Sequence, residues 1–287
     1  MKKNHATRRS RGFTLIELLV VMGIIALLLA ILLPALGRAR ATAKRVKDST
    51  QIQQVHKGFI TLSIDYKGLY PTPGLIDRQG TNPGVGAEDI LVNNHGNMYS
   101  VCIMNNAFDT QSLVSPAEVS TNVIAMANYN FDAHNVTAAV DQYWDPNMKS
   151  DLTQLSNVSY GTLLLNGKRK ATQWKDTKDS RFAVLANRGV QNGDLAQNVY
   201  NNSRTLQIHG AAKQWEGNVC FQDNHVNFEN KFQPDGIQQF TPAAGGAAVI
   251  DNIFKDDPEA TTGDSWLTVC KDVTGSPTSA TFNITWD

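Results

Sequence analysis

Apolar and polar positions divide the chain into three stretches. Residues 13–36, FTLIELLVVMGIIALLLAILLPAL, are apolar on every face apart from Thr14 and Glu17, and no charge falls between Leu18 and Leu33. A helix of that length rises roughly 36 Å, enough for a hydrocarbon core of about 30 Å. Gly23 and Pro34 interrupt it; proline lacks an amide hydrogen and clashes with the preceding turn, so Pro34 is expected to kink or loosen the helix.

The second stretch keeps helical spacing but only on one side. Leu36, Ala39, Ala43 and Val46 recur every three or four residues. Val55, Phe59, Leu62 and Tyr66 resume that spacing after a polar interval at residues 48–54. Gly68 offers a stop, and Tyr70-Pro71-Thr72-Pro73-Gly74 cannot remain helical. The pattern predicts one helix from Phe13 to about Tyr66, roughly 80 Å long.

From Tyr70 onward short apolar patches alternate with Asn-, Asp-, Gly-, Ser- and Thr-rich segments, which predicts loops and an antiparallel sheet. Residues 71–97 read as a long loop with a short element at 88–92, and 97–107 and 116–127 as short helices. Strands are expected at 158–165, 182–186, 206–208 and 279–286. The clearest hairpin is 217–230, where Val219/Phe221 and Val226/Phe228 alternate around Asp223-Asn224. The fold class is therefore α+β: a leader at 1–12, a transmembrane and stalk helix at 13–68, and a globular head at 69–287.

Charge sharpens this division. Five basic residues and no acid lie in residues 1–12, and five more basics lie in residues 38–47. From Gln51 onward 16 basic residues face 24 acidic ones, a net −8, which argues against nucleic acid as a partner. Lys168-Arg169-Lys170 is the one basic run in the head, and a solvated turn explains it. Cys102, Cys220 and Cys270 are too widely spaced for a zinc site; one disulfide with a free thiol and three buried thiols are both open.

A secretory signal peptide, cleaved near Ala39–Ala43, accounts for the basic start but not for so long an apolar run or for a charge inside it. A plain signal anchor accounts for the length and leaves Glu17 without a role, although a carboxylate in hydrocarbon is costly and calls for a partner. The string Arg11-Gly12-Phe13-Thr14-Leu15-Ile16-Glu17 resembles the type III signal sequence of type IV pilins and type II secretion pseudopilins, over roughly residues 8–66. That resemblance implies cleavage between Gly12 and Phe13 by a membrane prepilin peptidase, which is also the N-methyltransferase of Phe13. It implies that Glu17 of an incoming subunit neutralises the Phe13 amine of a neighbour, and that Pro34 lets the helix extend on packing. The implied partners are that peptidase, other pilin or pseudopilin subunits in a homopolymer, an inner-membrane assembly platform and the membrane itself. The implied location is a bacterial inner membrane, crossed once, with a periplasmic head and a filament in the periplasm or at the cell surface.

In the head, Ile208-His209-Gly210, Trp215-Glu216-Gly217-Asn218-Val219 and Asp223-Asn224-His225-Val226 resemble a sheet motif of pseudopilin-like proteins from planctomycete-type bacteria, with Asn224 where glycine is usual. A type II secretion pseudopilin is accordingly the first expectation. A type IV pilin for adhesion, motility or DNA uptake is the alternative, as is a membrane-anchored binding protein or enzyme. His209, Asp223 and His225 are a weak metal candidate beside histidines packed on Trp215 or bonded to loop backbone. Asp251, Asp256, Asp257, Glu259 and Asp264 are a weak calcium candidate without an EF-hand pattern, against a solvated acidic surface. Asp65, Asp77, Asp132 and Asp141 show no catalytic pairing, and GxSxG, P-loop, HExxH and GxGxxG motifs are missing, so no enzyme and no resident cofactor is expected.

Overall fold

The computed structural model describes residues 13–137, 140–210, 214–257 and 264–287. The leader, Gly12 and Glu259 lie outside these residues. The chain divides into two compact units, one ending at Ala43 and one spanning Lys44–Asp287. Helix α1, Leu15–Ser63, contributes to both.

In the first unit the helix runs through Gly23 and Pro34, and no neighbouring atom approaches the position a Cβ would take at Gly23. Its large apolar side chains, from Leu15 to Leu36, are all exposed. The helix is long and apolar enough to cross a membrane.

In the second unit the rest of α1 is covered on one face. Asp48, Ile52, Val55, Phe59 and Leu62 are buried at alternating spacings of four and three, with His56 and Ser63 beside them. The buried stripe thus begins inside the interval that appeared polar, because Asp48 sits on the inward face. Val46, assigned to the stripe from its spacing, is exposed. The helix ends at Ser63, three residues before the predicted end. Lys67 and Gly68 both take positive φ, and the Gly68 amide donates to the Ser63 carbonyl at 2.8 Å.

The stripe lies against a five-stranded antiparallel sheet. Its strands are β1 (Tyr160–Leu163), β2 (Ala183–Asn187), β3 (Gly217–Phe221), β4 (Val226–Glu229) and β5 (Leu267–Thr268), in spatial order β4-β3-β2-β1-β5. The first four make a meander, and β5 returns to pair with β1 in the register Thr162↔Thr268. β1, β2 and β3 are buried at every position; β1 and β2 therefore read as apolar runs, while β3 keeps the alternation of Val219 and Phe221. Helix α2 (His95–Met104) is pinned to the sheet by a buried histidine. His95 Nδ1 accepts from the Cys270 amide at 2.8 Å, and Nε2 donates to Thr162 Oγ1 at 3.0 Å.

Phe59 gathers Tyr70, Tyr99, Phe108 and Trp174 at ring separations of 5.5–6.2 Å. Gly58 makes room for this cluster: a Cβ there would stand 2.6 Å from Cδ1 of Phe108. Gly58→Val is therefore expected to lower stability by about 1–3 kcal/mol through overpacking, read as a lower chemical unfolding midpoint.

Several expectations are corrected. Residues 116–127 are not helical: the Glu118 side chain accepts from the Val119 and Ser120 amides instead and chelates Arg188. Arg188 is buried between Glu118 and Asp287, with Nη2 2.6 Å from the latter. Residues 206–208 form no strand, because Arg204–Gln207 closes into a 3-10 turn. Lys168-Arg169-Lys170 lies on helix α3 (Gly167–Gln173), not on a solvated turn. Arg169 is buried against Asp264 and Asp256, and Lys170 pairs with Glu88. The tail strand expected at 279–286 is β7 (Ser279–Ile284); its hairpin partner, β6 (Cys270–Ser276), is not among the expected strands. All three cysteines are buried free thiols.

Candidate processing and assembly site

Phe13 and Thr14 precede the first helical residue, and Thr14 caps it. The Thr14 amide and hydroxyl both donate to Glu17 Oε2, each at 2.9 Å, while the Glu17 amide donates to Thr14 Oγ1 at 3.3 Å. This reciprocal pair is a capping box: a threonine before the helix and a glutamate three positions later satisfy amides that the first turn leaves without partners. Thr14-Leu15-Ile16-Glu17 carries the capping-box spacing in the sequence itself, so this local role is a signal independent of the membrane setting of Glu17.

One carboxylate oxygen is thus committed within the chain. Among the described residues Oε1 receives no donor, and the Phe13 ring is exposed. The geometry provides an anionic group one turn from Phe13, at the end of a helix that carries no other charge up to Arg38. Cleavage between Gly12 and Phe13 falls at the edge of the described residues, with Gly12 outside them. Pro34 lies within α1, and its part in extension on packing stays a proposal.

A second polar cluster joins α1 to the sheet within the Lys44–Asp287 unit. Asp48 is wholly buried and accepts from the Tyr160 hydroxyl at 2.8 Å, Asn218 Nδ2 at 2.7 Å and His209 Nε2 at 2.9 Å. Burial pushes its carboxyl up, but hydrogen bonds from His209, Ser115 and Asn218, with the His209 charge, outweigh this and hold it below the ordinary value. One turn away, Arg45 lies over the Phe228 ring at 3.2 Å. His56 Nδ1 donates to Asn224 Oδ1 at 3.1 Å, and Nε2 accepts from Tyr70 at 3.0 Å. Asn224 takes φ +69°, as its place in the hairpin turn demands, and its amide also docks the turn onto the helix, which a glycine could not do.

The metal candidates separate. His209 faces Asp48 and Phe228, while His225 bonds Asp223 and stacks on Phe221, so neither histidine packs on Trp215. Asp251 and Asp264 are buried, not a solvated acidic surface, and Arg169 supplies the cation beside Asp264. Among the described residues no group of three or more His, Cys, Asp or Glu side chains is arranged to hold a metal.

The family model for the prokaryotic N-terminal methylation motif matches residues 7–33. No curated protein and no solved structure matches the chain at a significant level. The matched motif supports a type IV pilin-like subunit that is processed as a prepilin, takes a single-pass membrane anchor and assembles with other subunits of its kind.

Proposed function

We propose that this chain is a structural subunit of a type II secretion pseudopilus. It waits in the inner membrane with its head in the periplasm, is cut between Gly12 and Phe13 and methylated on Phe13, and is then drawn into a filament. The carrying observation is the methylation motif at 7–33, combined with Glu17 placed one turn from Phe13 as the one charged side chain of the segment 13–36.

Glu17 does two things at once in this scheme. Oε2 closes the helix start through Thr14, and Oε1 is left for the ammonium of a neighbouring Phe13. The charge that is costly in lipid is relieved only on entering the filament, so assembly and register are favoured together. The Trp215–Val219 and Asp223–Val226 hairpin motif favours the secretion role over a type IV pilus.

Mass spectrometry of the mature protein tests processing: the expected amino terminus is N-methyl-Phe13, and an intact Met1 or a start near Thr42 overturns the proposal. A deletion strain is then expected to lose export of at least one protein while keeping surface pili; the reverse outcome assigns the chain to a pilus.

A further inference from the structure

Among the described residues of the head, Phe131 is the one phenylalanine left exposed, at 51%. It lines a depression of about 630 Å3 together with Phe108, Tyr129, Asn106, Asp109 and Asn128. A second depression, of about 410 Å3, shares Asn106, Phe108 and Asp109 with the first and continues to Gln54, Lys57 and Thr61 on α1. The two therefore adjoin as one groove. Its aromatic side chains are fixed by what they pack on. Phe108 meets Phe59 and Tyr99 at ring separations of 6.2 and 6.4 Å. Tyr129 donates its hydroxyl to the Ser100 carbonyl at 2.7 Å, and its ring meets Phe131 edge to face at 4.9 Å.

The polar groups of the groove are left for a ligand. The side-chain amides of Asn106 and Asn128 are exposed and have no hydrogen-bond partner among the described residues. Asn106 takes φ +55° just past the end of α2, so the backbone turn itself sets its place. Asp109 Oδ1 accepts from the Ser112 amide and hydroxyl at 2.8 and 2.6 Å, while Oδ2 accepts nothing among the described residues. Each amide offers donors and an acceptor, and the carboxylate offers an acceptor. No basic residue lines the larger depression. Fixed rings beside a few placed hydrogen-bonding groups are the makeup of a small-ligand site, and the larger depression has the volume of one.

We infer that this groove binds a neutral oligosaccharide. The ligand chemistry follows from the lining. A sugar ring lays its C–H face on an aromatic ring, here Phe131 or Phe108, and turns its hydroxyls to Asn106, Asn128 and Asp109 Oδ2. An anion would meet Asp109 with no cation in the larger depression to hold it. A purely apolar group would cover the two amides and the carboxylate without satisfying them. An extended peptide would look for a free strand edge, but the walls are the 3-10 turns Thr110–Leu113 and Phe131–Ala133 with their flanking loops. Two adjoining depressions suit a chain of sugars better than one ring. This binding activity belongs to the head and is separate from the assembly role proposed above.

Calorimetric titration of the full chain tests this, in a polyoxyethylene detergent so that no glycoside head group competes. The probes are maltohexaose, cellohexaose and the hexamer of N-acetylglucosamine. At least one is expected to bind with a Kd of about 1 mM or tighter. Phe131→Ala is expected to weaken that binding about tenfold, and Asn128→Ala to weaken it by a smaller factor. Leu195→Ala removes an exposed apolar side chain that lines neither depression and is expected to leave binding unchanged. Both groove positions are exposed, and a thermal melt verifies folding; if Phe131→Ala does not fold, Asn128→Ala carries the test. Hexagalacturonate and a neutral serine- and proline-rich peptide serve as comparators. No binding of any of the three neutral sugars, or undiminished binding in the folded variants, overturns the inference. Binding of either comparator as tight as that of the best neutral sugar overturns the ligand class.

Discussion

Glu17→Gln is expected to leave the chain inserted, cleaved and methylated while its incorporation into filaments falls on the order of a hundredfold. The substitution separates the two roles of this side chain. The glutamine oxygen can still accept from the Thr14 amide and hydroxyl, so the capping box and the first helical turn persist. The negative charge is lost, and the ammonium of a neighbouring Phe13 would enter an apolar filament core unpaired. Leaving one member of a buried pair without its partner costs far more than a hydrogen bond, which sets the expected size of the defect. Thr14→Val makes the complementary change, removing the cap and keeping the charge, and is expected to fray the helix start while incorporation continues. Cleavage is followed by mass spectrometry, and incorporation by the sheared filament fraction. Normal incorporation of Glu17→Gln would remove the counter-ion role and leave Glu17 as a capping residue only.

The helix and its start were legible in the sequence because both are local signals. A membrane-length apolar run and a glycine, phenylalanine and glutamate at fixed offsets require no knowledge of what lies elsewhere in the chain. The hairpin at residues 217–230 was legible for the same reason, since its alternation and its Asp223-Asn224 turn lie within fourteen positions. What stayed hidden depends on distant partners. Arg169 looked like one charge in a solvated run, but its acids, Asp256 and Asp264, lie about ninety positions away. Asp48 broke the apolar stripe by residue type while keeping its period, and only the approach of Tyr160, His209 and Asn218 shows why an acid is tolerated there. β1 and β2 were found approximately because both faces are buried and the runs are continuously apolar. In the tail the last strand, β7, is legible but its partner β6 is not, although Gly275-Ser276-Pro277-Thr278 offers a turn, because Cys270–Ser276 mixes polar and apolar residues without strict alternation.

Asp48→Ala is expected to destabilise the head by about 3–5 kcal/mol, the range for breaking a buried pair and leaving its partners unsatisfied. Tyr160, Asn218 and His209 would each lose an acceptor in a site that excludes water, and the stripe on α1 would lose its first anchor to the sheet. Asp48→Asn keeps the volume and one acceptor oxygen, so a smaller loss is expected. Acid unfolding isolates the charge. The Asp48 carboxyl is held below its ordinary value in the folded head, so its contribution is complete above about pH 4 and is lost as pH falls through the folded value. The buried imidazoles act in a different window. Burial lowers His56 and His95 to about 4, below the ordinary imidazole value, so the unfolded chain takes up protons first and stability declines from about pH 6.5 down to pH 4. Melting temperatures of the wild-type chain and Asp48→Asn should therefore run parallel between pH 6.5 and 4. Below pH 4 the wild-type curve should fall more steeply and the two should converge. A constant separation down to pH 2 would show that Asp48 stabilises the head without its charge.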